Sequence, residues 1–459
     1  MSAPGRRPTV PARPDAFRLG SHPFAPVPPA TPDPGLAPRP DLGPGGGWPA
    51  SAASPSRPFS IPPAGSASAS RPGQRAATRR QGALRAIGLM SGTSQDGVDA
   101  AVVETDGHAI TGLGAFISRA YQPRLRAALA DAVRAAAKPG ATRDGFADIE
   151  ARITDAHAEA VEALLAETGL GPADVDVVGF HGHTLLHRPD RQLTWQVGDG
   201  ARLAARLGIP VVDDFRSADM VAGGQGAPLA PLYHAARLAG DGALAGAPRR
   251  APGAPWVVVN IGGVANVTWV APAADGGEPE ILAFDTGPGN ALVDDWVRLH
   301  TGRAYDDGGR FAASGEVHSD VLTLMLDHPY LDMAPPKSLD RNDFALEAVR
   351  GLSLEDGAAT LSAFTIETIV EAQAHMPRPP GAWYVTGGGR HNPVLLDGLA
   401  RRLPVMVEPV DALNWRADAL EAEAFGFLAV RHLKGLYTSL PATTGAVHPV
   451  VGGRYHAVG

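Results

Sequence analysis

Twice along this chain an apolar, β-branched run breaks into a glycine turn and returns as a second strand. The first begins at Arg85, where RAIGLMSG leads through SQDG into VDAAVVETDG; the second is WVVVNIGG, followed by NVTWVA and then by ILAFDTGPGN. Short apolar runs bounded by Gly, Asp and Asn are strand and hairpin signals, so each half of the chain is expected to open on a hairpin. Elsewhere the period changes. Leu125, Leu129 and Val133 recur every four residues, and Ile149, Ile153, Ala156, Ala160 and Leu164 form a second helical stripe that stops at Gly169. VDVVGF reads as a strand, HGHT as a polar turn behind it, GARLAARLG as a helix and PVVDDF as a strand. WYVTGGG is a late strand running into glycines, and DALEAEAFGFLAVRHLKGLY is a long apolar-striped helix. This alternation predicts an α/β protein of two related lobes, 83–213 and 214–450, with the long helix in the second; no residue-level repeat connects them.

Residues 1–82 are different. Runs such as PFAPVPPATPDPGLAPRPDLGPGGG carry no helical or strand period and read as a disordered Pro/Ala/Arg-rich extension. The remainder is ample for a cored protein, since 44% of the 459 residues are hydrophobic. A net charge of -8 provides no field for a nucleic-acid backbone. The absence of cysteine excludes disulfides, thiol catalysis and Cys-based zinc sites. No apolar stretch is long enough for a membrane span and the N-terminus lacks a secretory apolar core, so a cytoplasmic protein with neither nucleic-acid nor membrane partners is expected.

Four segments carry chemistry. Gly88–Asp99, GLMSGTSQDGVD, is a turn rich in glycine and hydroxyls. Backbone N–H groups there, with Ser91, Thr93 and Ser94, suit a phosphate chain, although an ordinary hairpin turn has the same spacing. It is no P-loop, for GxxxxGK[ST] is absent and the turn joins two strands. Gly262 and Gly263 in VVVNIGGVAN form a second such turn, and two turns on facing lobes could clasp a nucleotide's phosphates. FDTGPGN puts Asp285 at a strand end, a position suited equally to catalysis or to capping the next helix. Gly387, Gly388 and Gly389 remove three successive Cβ atoms, allowing an adenine ring to approach the backbone or the loop to pack tightly. His181, His183, Asp214 and Arg216 follow two further strands. Hydrogen bonding to a sugar suits the histidines better than a metal, since no third ligand has suitable spacing. Arg216 could fork onto a substrate carboxylate or pair internally with a neighbouring Asp.

Taken in order, GLMSGTSQDGVD, GFHGHTLLHRP, TWQVGDGARLAARLGIPVVDDFRSADMVAGGQGAPLAPLYH, VVVNIGGVANVT, FDTGPGNALVDDW, YDDGGRFAASG, PPKSLDRNDF, VTGGGRHNP and DALEAEAFGFLA resemble the anhydro-N-acetylmuramic acid kinase family. Gln95 stands where that family usually has Leu or Met, and His183 where it usually has Gln. The resemblance implies a two-lobed actin-like ATPase fold, ribonuclease H-like in each lobe, with ATP and Mg²⁺ between the lobes, and a homodimer. It implies that Gly92, Thr93, Ser94, Gln95, Asp96, Gly97, Val98 and Asp99 cradle the nucleotide together with Gly262, Gly263 and Gly387–Gly389, with Asp96 reaching the metal through water. It makes Asp285 the general base and places His181, His183, Asp214, Arg216 and Glu421 at an anhydro amino sugar.

Overall fold

The strands are β1 (Leu84–Ser91), β2 (Gly97–Thr105), β3 (Ile110–Ala120), β4 (Val177–Arg188), β5 (Leu193–Val197), β6 (Val211–Asp213), β7 (Trp256–Ile261), β8 (Val264–Ala271), β9 (Glu280–Pro288), β10 (Ala382–Thr386), β11 (Met406–Pro409) and β12 (Arg454–His456). The computed structural model describes residues 82–92, 95–239, 253–273, 278–339 and 343–459; apart from Gly82, the N-terminal extension read from the sequence lies outside them.

Two sheets have one plan. In the first, β1, β2 and β3 form an antiparallel meander, β4 runs parallel to β1 and β6 parallel to β4. In the second, β7, β8 and β9 form the meander, with β10 parallel to β7 and β11 parallel to β10. The orders are therefore β6-β4-β1-β2-β3 and β11-β10-β7-β8-β9, with β12 added at the β6 edge and β5 paired to β4. This is the ribonuclease H-like strand order, duplicated.

The structure departs from the sequence reading at three places. A third strand, β3, follows the first hairpin; its ITGLGAFISRA is mostly half-buried or exposed and lacks a clean alternation. HGHT is no turn, because β4 continues through it to Arg188. The long helix, Leu420–Leu433, packs on β1, β2 and β4 of the first sheet, and β12 also returns there.

Both faces of the first sheet are covered. On one, helices Pro123–Ala136 and Ala147–Thr168 pack Leu129, Ile153 and Leu164 against Ile87, Leu89 and Phe180. Each such fully buried side chain contributes about 2 kcal/mol of burial free energy. On the other face Leu420–Leu433 lies backbone to backbone with the strands. A Cβ on Gly88 would sit 1.7 Å from the Ala422 carbonyl oxygen, and one on Gly179 2.1 Å from that of Phe425. Only hydrogen fits there, so this helix is held close against β1 and β4.

Helix Pro231–Ala239 joins the two sheets. His234 Nδ1 lies 3.0 Å from Thr268 Oγ1 on β8, while the Tyr233 hydroxyl donates to Glu423 on the long helix. Glu423 is fully buried and accepts also from Arg237 and Arg416, which compensates its lost hydration. Among the described residues no helix is long and apolar enough to cross a membrane.

Candidate active site

The first glycine turn connects β1 to β2. Gln95 N–H donates to the Gly92 carbonyl at 3.1 Å, and Asp96 O accepts from Tyr121 N–H at 2.8 Å, which ties the turn to the end of β3. Gln95 has φ 56, a left-handed conformation that a side chain adopts only at a cost of roughly 1 kcal/mol. Thr93 and Ser94 lie outside the described residues. Gly97 is required by its neighbour strand, for a Cβ there would sit 2.2 Å from the Arg119 carbonyl oxygen. Val98 is buried in the core. Asp96 is exposed, and Asp99 is half-buried with its carboxyl pushed up to about 6, by burial first; the Ser118 hydrogen bond opposes this, and the charges of Asp96 and Asp418 add to it. The Asp96 and Asp99 carboxylates thus lie within electrostatic reach of each other beside this turn.

The second turn gathers the remaining glycines. Gly262 O accepts Asn290 N–H at 2.7 Å and Gly263 O accepts Gly289 N–H at 2.9 Å, so the GPGN corner closes onto the β7–β8 turn. Asn290 Nδ2 donates to Ile261 O at 3.0 Å. The three glycines after β10 then divide by role. Gly387 has φ +75, and a Cβ would meet Asn260 Oδ1 at 2.3 Å; one on Gly389 would meet Ile261 Cβ at 2.5 Å. Both serve packing against β7. Gly388 is exposed, with nothing closer than Asn290 Nδ2 at 3.7 Å, and Gly262 and Gly263 are similarly open. These three can admit a flat ring or a phosphate.

His181 and His183 part company. Gly182, at φ +72, sits in a bulge of the β1–β4 register that puts the two rings on opposite faces of the sheet. His181 packs on Phe425 of the long helix, and its Nδ1 lies 2.9 Å from Gly182 O. A carbonyl only accepts, so Nδ1 carries the proton and Nε2 is the lone pair that receives Arg216 Nε at 3.2 Å and Nη2 at 2.9 Å. Burial and the adjacent guanidinium hold this ring neutral, well below the usual histidine range. His183 turns the other way, with Nδ1 2.9 Å from Ser91 Oγ, which accepts from the Tyr121 hydroxyl at 2.7 Å. Its pKa is lowered to about 4 by burial, against the pull of Asp96.

Arg216 also donates to Gly226 O at 2.6 Å. Burial lowers its pKa to about 10, while Glu421 and Asp219 favour its charge. Glu421 is exposed at the start of the long helix; desolvation by the protein around its carboxyl raises its pKa, Arg216 lowers it and Asp99 raises it. The long helix thereby brings Glu421 within electrostatic reach of both Arg216 and the first turn. Asp214 stands apart from the guanidinium. It is in the left-handed region at φ 51, accepts from Ser217 Oγ at 2.5 Å, and lines with His181 a small polar pocket.

Asp285 is caged by a segment 45 to 54 residues further on. Its N–H donates to Lys337 O at 2.9 Å, its carbonyl accepts from the Tyr330 hydroxyl at 2.7 Å, and its Oδ2 accepts from Leu339 N–H at 2.8 Å. Among the described residues no donor takes Oδ1. Burial pushes this carboxyl up to about 7, against the Leu339 hydrogen bond. It is a buried carboxylate, anchored among the described residues by Leu339 and shifted towards neutrality, suited to proton abstraction rather than to capping. Lys337 holds the cage by donating to Tyr330 O at 3.0 Å and Leu331 O at 3.1 Å. Sequence reasoning missed Tyr121, Tyr330, Lys337 and Ser338; the conspicuous PPKSL was the one available signal.

A duplicated meander-plus-parallel sheet, a glycine turn on each sheet and a buried carboxylate within β9 define the two-lobed, actin-like class of phosphotransferases. A family model described as anhydro-N-acetylmuramic acid kinase matches residues 84–457. A protein of that name from Rhizorhabdus wittichii is 51% identical over 375 residues, covering 81% of this chain and 99% of its own. Another, from Paramagnetospirillum magneticum, is 50% identical over 376 residues, covering 81% and 99%. The chain belongs to the anhydro-N-acetylmuramic acid kinase family, and it is a kinase. Among solved structures, the xylulose kinase of Lactobacillus acidophilus overlaps 82% of this chain and 94% of its own at 11% identity and a TM-score of 0.38.

Proposed function

We propose that this kinase acts on 1,6-anhydro-N-acetylmuramic acid, consuming ATP and water and opening the anhydro ring as it phosphorylates, to give N-acetylmuramic acid 6-phosphate and ADP in the recycling of cell-wall murein. O6 of such a sugar carries no proton, so a base acting on O6 has nothing to remove. The base must act on water. The observation that carries the reading is Asp285, buried, held among the described residues through Oδ2, and shifted towards neutrality.

In this reading the Asp285 carboxylate takes a proton from a water whose oxygen attacks C1. The C1–O6 bond breaks, O6 forms a bond to the γ-phosphorus, and the β,γ-bridging P–O bond breaks with its electrons to ADP. Backbone donors of the Gly92–Gly97 turn, with Gly262 and Gly263 opposite, receive the phosphates, and Gly388 admits the adenine. Arg216, fixed by His181, forks onto the sugar's lactyl carboxylate; Asp214 and Glu421 bind its hydroxyls or orient the water. His183 steadies the end of β1 through Ser91. Mg²⁺ would be borne chiefly by the phosphates, with Asp96 reaching it through water. When bound it would offset charge on the phosphoryl oxygens in a region where Asp96 and Asp418 already press on Asp99.

Incubation with Mg-ATP and the anhydro sugar in ¹⁸O-water, read by mass spectrometry, is the test. A 6-phosphate carrying one ¹⁸O at C1 is expected. Unlabelled product would remove the hydrolytic step, and phosphorylation only of a sugar with a free hydroxyl would remove the substrate assignment.

A further inference from the structure

The cage around Asp285 does not stand alone. Gln225, in the GGQG turn of the segment that carries Arg216, uses its side-chain Oε1 to accept both from Ser338 N–H, at 3.1 Å, and from the Ser338 hydroxyl. Ser338 is the residue before Leu339, whose N–H holds the Asp285 carboxylate. Gln225 is itself fixed, since its N–H donates to Thr444 O at 2.7 Å. Its neighbour Gly226 donates to Asp219 Oδ2 at 2.8 Å and accepts from Arg216 at 2.6 Å. The fully buried Asp219 accepts also from Ser439 and from Thr444, at 2.6 Å for the latter.

We infer that Gln225 is a positioning residue for the proposed base: by holding Ser338 it aims the Leu339 N–H at Oδ2 of Asp285 and so leaves Oδ1 as the proton acceptor, in register with Arg216 on the same strap. The inference rests on the reading of Asp285 as base. Its physics is simple. One hydrogen bond to a carboxylate favours the ionised form and fixes the plane of the group. The bond comes from a backbone N–H, so its direction depends on what holds the 337–339 segment. Lys337 holds that segment from within; Gln225 is its tie to the strap bearing the proposed sugar-binding arginine.

Among the described residues the ionisable side chain coupled to Asp285 is Tyr330, which Asp343 also reaches, while Lys337 is coupled to Asp332 and Glu371. His375 packs edge-on to the adjacent Phe284. Strand β8 presents Asn266 opposite, and helix Pro441–Thr444, which packs on β9, has no ionisable side chain. Gln225 touches none of these groups, so its replacement reaches the base through Ser338 and Leu339.

The experiment compares the full-length enzyme with Gln225→Ala and Ser338→Ala. Gln225→Ala is expected to lower kcat roughly tenfold with KM for the sugar little changed, and to move the acid limb of the rate profile upward by about half a pH unit or more. Ser338→Ala, which keeps the backbone bond to Gln225, gives a smaller shift in the same direction. A ¹³C titration of the Asp285 carboxyl, assigned by its absence in Asp285→Asn, should show the same upward shift without any substrate, so it stands even if the sugar assignment fails. A Gln225→Ala protein that melts earlier but keeps both its acid limb and its carboxyl titration would make the residue merely structural. A rise in KM at constant kcat would assign it to sugar binding instead. Either outcome overturns the inference.

Discussion

His181 accepts two hydrogen bonds from one Arg216 guanidinium, at 3.2 and 2.9 Å, through a single ring nitrogen. The imidazole is therefore a neutral acceptor that orients a cation, and protonating it would set two positive charges against each other. With a third hydrogen bond going to the Gly226 carbonyl, Arg216 keeps its remaining donors for a ligand. Arg216→Lys retains the charge and loses the fork; KM for the anhydro sugar should rise about tenfold or more with Tm nearly unchanged. His181→Ala should reproduce most of that rise, and the double variant should be no worse than Arg216→Lys alone, because the two act as a unit. Additive losses would separate the residues.

Asp285 gives the sharpest kinetic expectation. A base must be ionised, so kcat/KM should rise with pH through about 7, where burial has placed this carboxyl. Asp285→Asn should lower kcat by roughly 10²- to 10⁴-fold, the usual worth of a positioned general base. Stability should move oppositely. The folded pKa lies above the unfolded value near 3.8, so between these values the folded protein holds a proton that the unfolded chain has released. Stability then falls as pH rises through that window and levels off above about 7. The Asn variant escapes this loss, and at pH 8 it should melt no lower than the parent. Melting at several pH values checks the sign.

The expectations that came from local pattern concern turns and strands, where neighbouring residues settle the outcome. The strand-to-glycine boundaries at Ser91, Ile261 and Thr386 are of this kind. β3 escaped notice because Gly112 and Gly114 interrupt its alternation; they are there since Cβ atoms would meet Glu104 and Val102 of β2 at 3.0 and 2.7 Å, a cross-strand reason with no trace nearby in sequence. The long helix was placed with the wrong sheet for the same reason. Its stripe says that it is buried, but its partner is chosen by Gly88 and Gly179, more than two hundred residues earlier. HGHT suggested two histidines with one task, whereas Gly182 at φ +72 separates them. Asp285 itself was legible as a candidate carboxylate, although it lies inside β9 rather than at the strand end that FDTGPGN suggested, because the strand runs on through Pro288 against β8; Tyr330, Lys337 and Leu339, which decide its hydrogen bonding, were not legible.

The backbone contact beneath the long helix sets a stability prediction. In Gly88→Ala the new methyl would sit 1.7 Å from the Ala422 oxygen and 2.4 Å from Gly426 N, both backbone atoms that no rotamer change can move. The helix must lift, and a loss of about 3 kcal/mol or more follows, lowering Tm by roughly 5 °C or beyond. Because this helix carries Glu421, KM for the sugar should rise in whatever fraction remains folded. Gly145→Ala is the control, since a Cβ there meets nothing within 4 Å; its Tm should stay within about 1 °C of the parent.

The glycines after β10 allow the nucleotide reading to be tested apart from folding. Gly387 is bound to its place by φ +75 and by Asn260 Oδ1 at 2.3 Å from any Cβ, whereas Gly388 faces open space. Gly387→Ala should therefore destabilise the protein by about 2 kcal/mol or more through strain and overlap. Gly388→Leu should leave Tm close to the parent value, because the side chain can extend into solvent. If the open face of Gly388 admits the adenine, that same leucine occupies the ring's place, and KM for ATP should rise about tenfold or more while KM for the sugar holds. Calorimetric titration with ADP on the two variants separates the effects: weakened binding in a fully folded Gly388→Leu protein supports an adenine seat at this glycine, and undiminished binding moves the nucleotide base elsewhere on the second sheet.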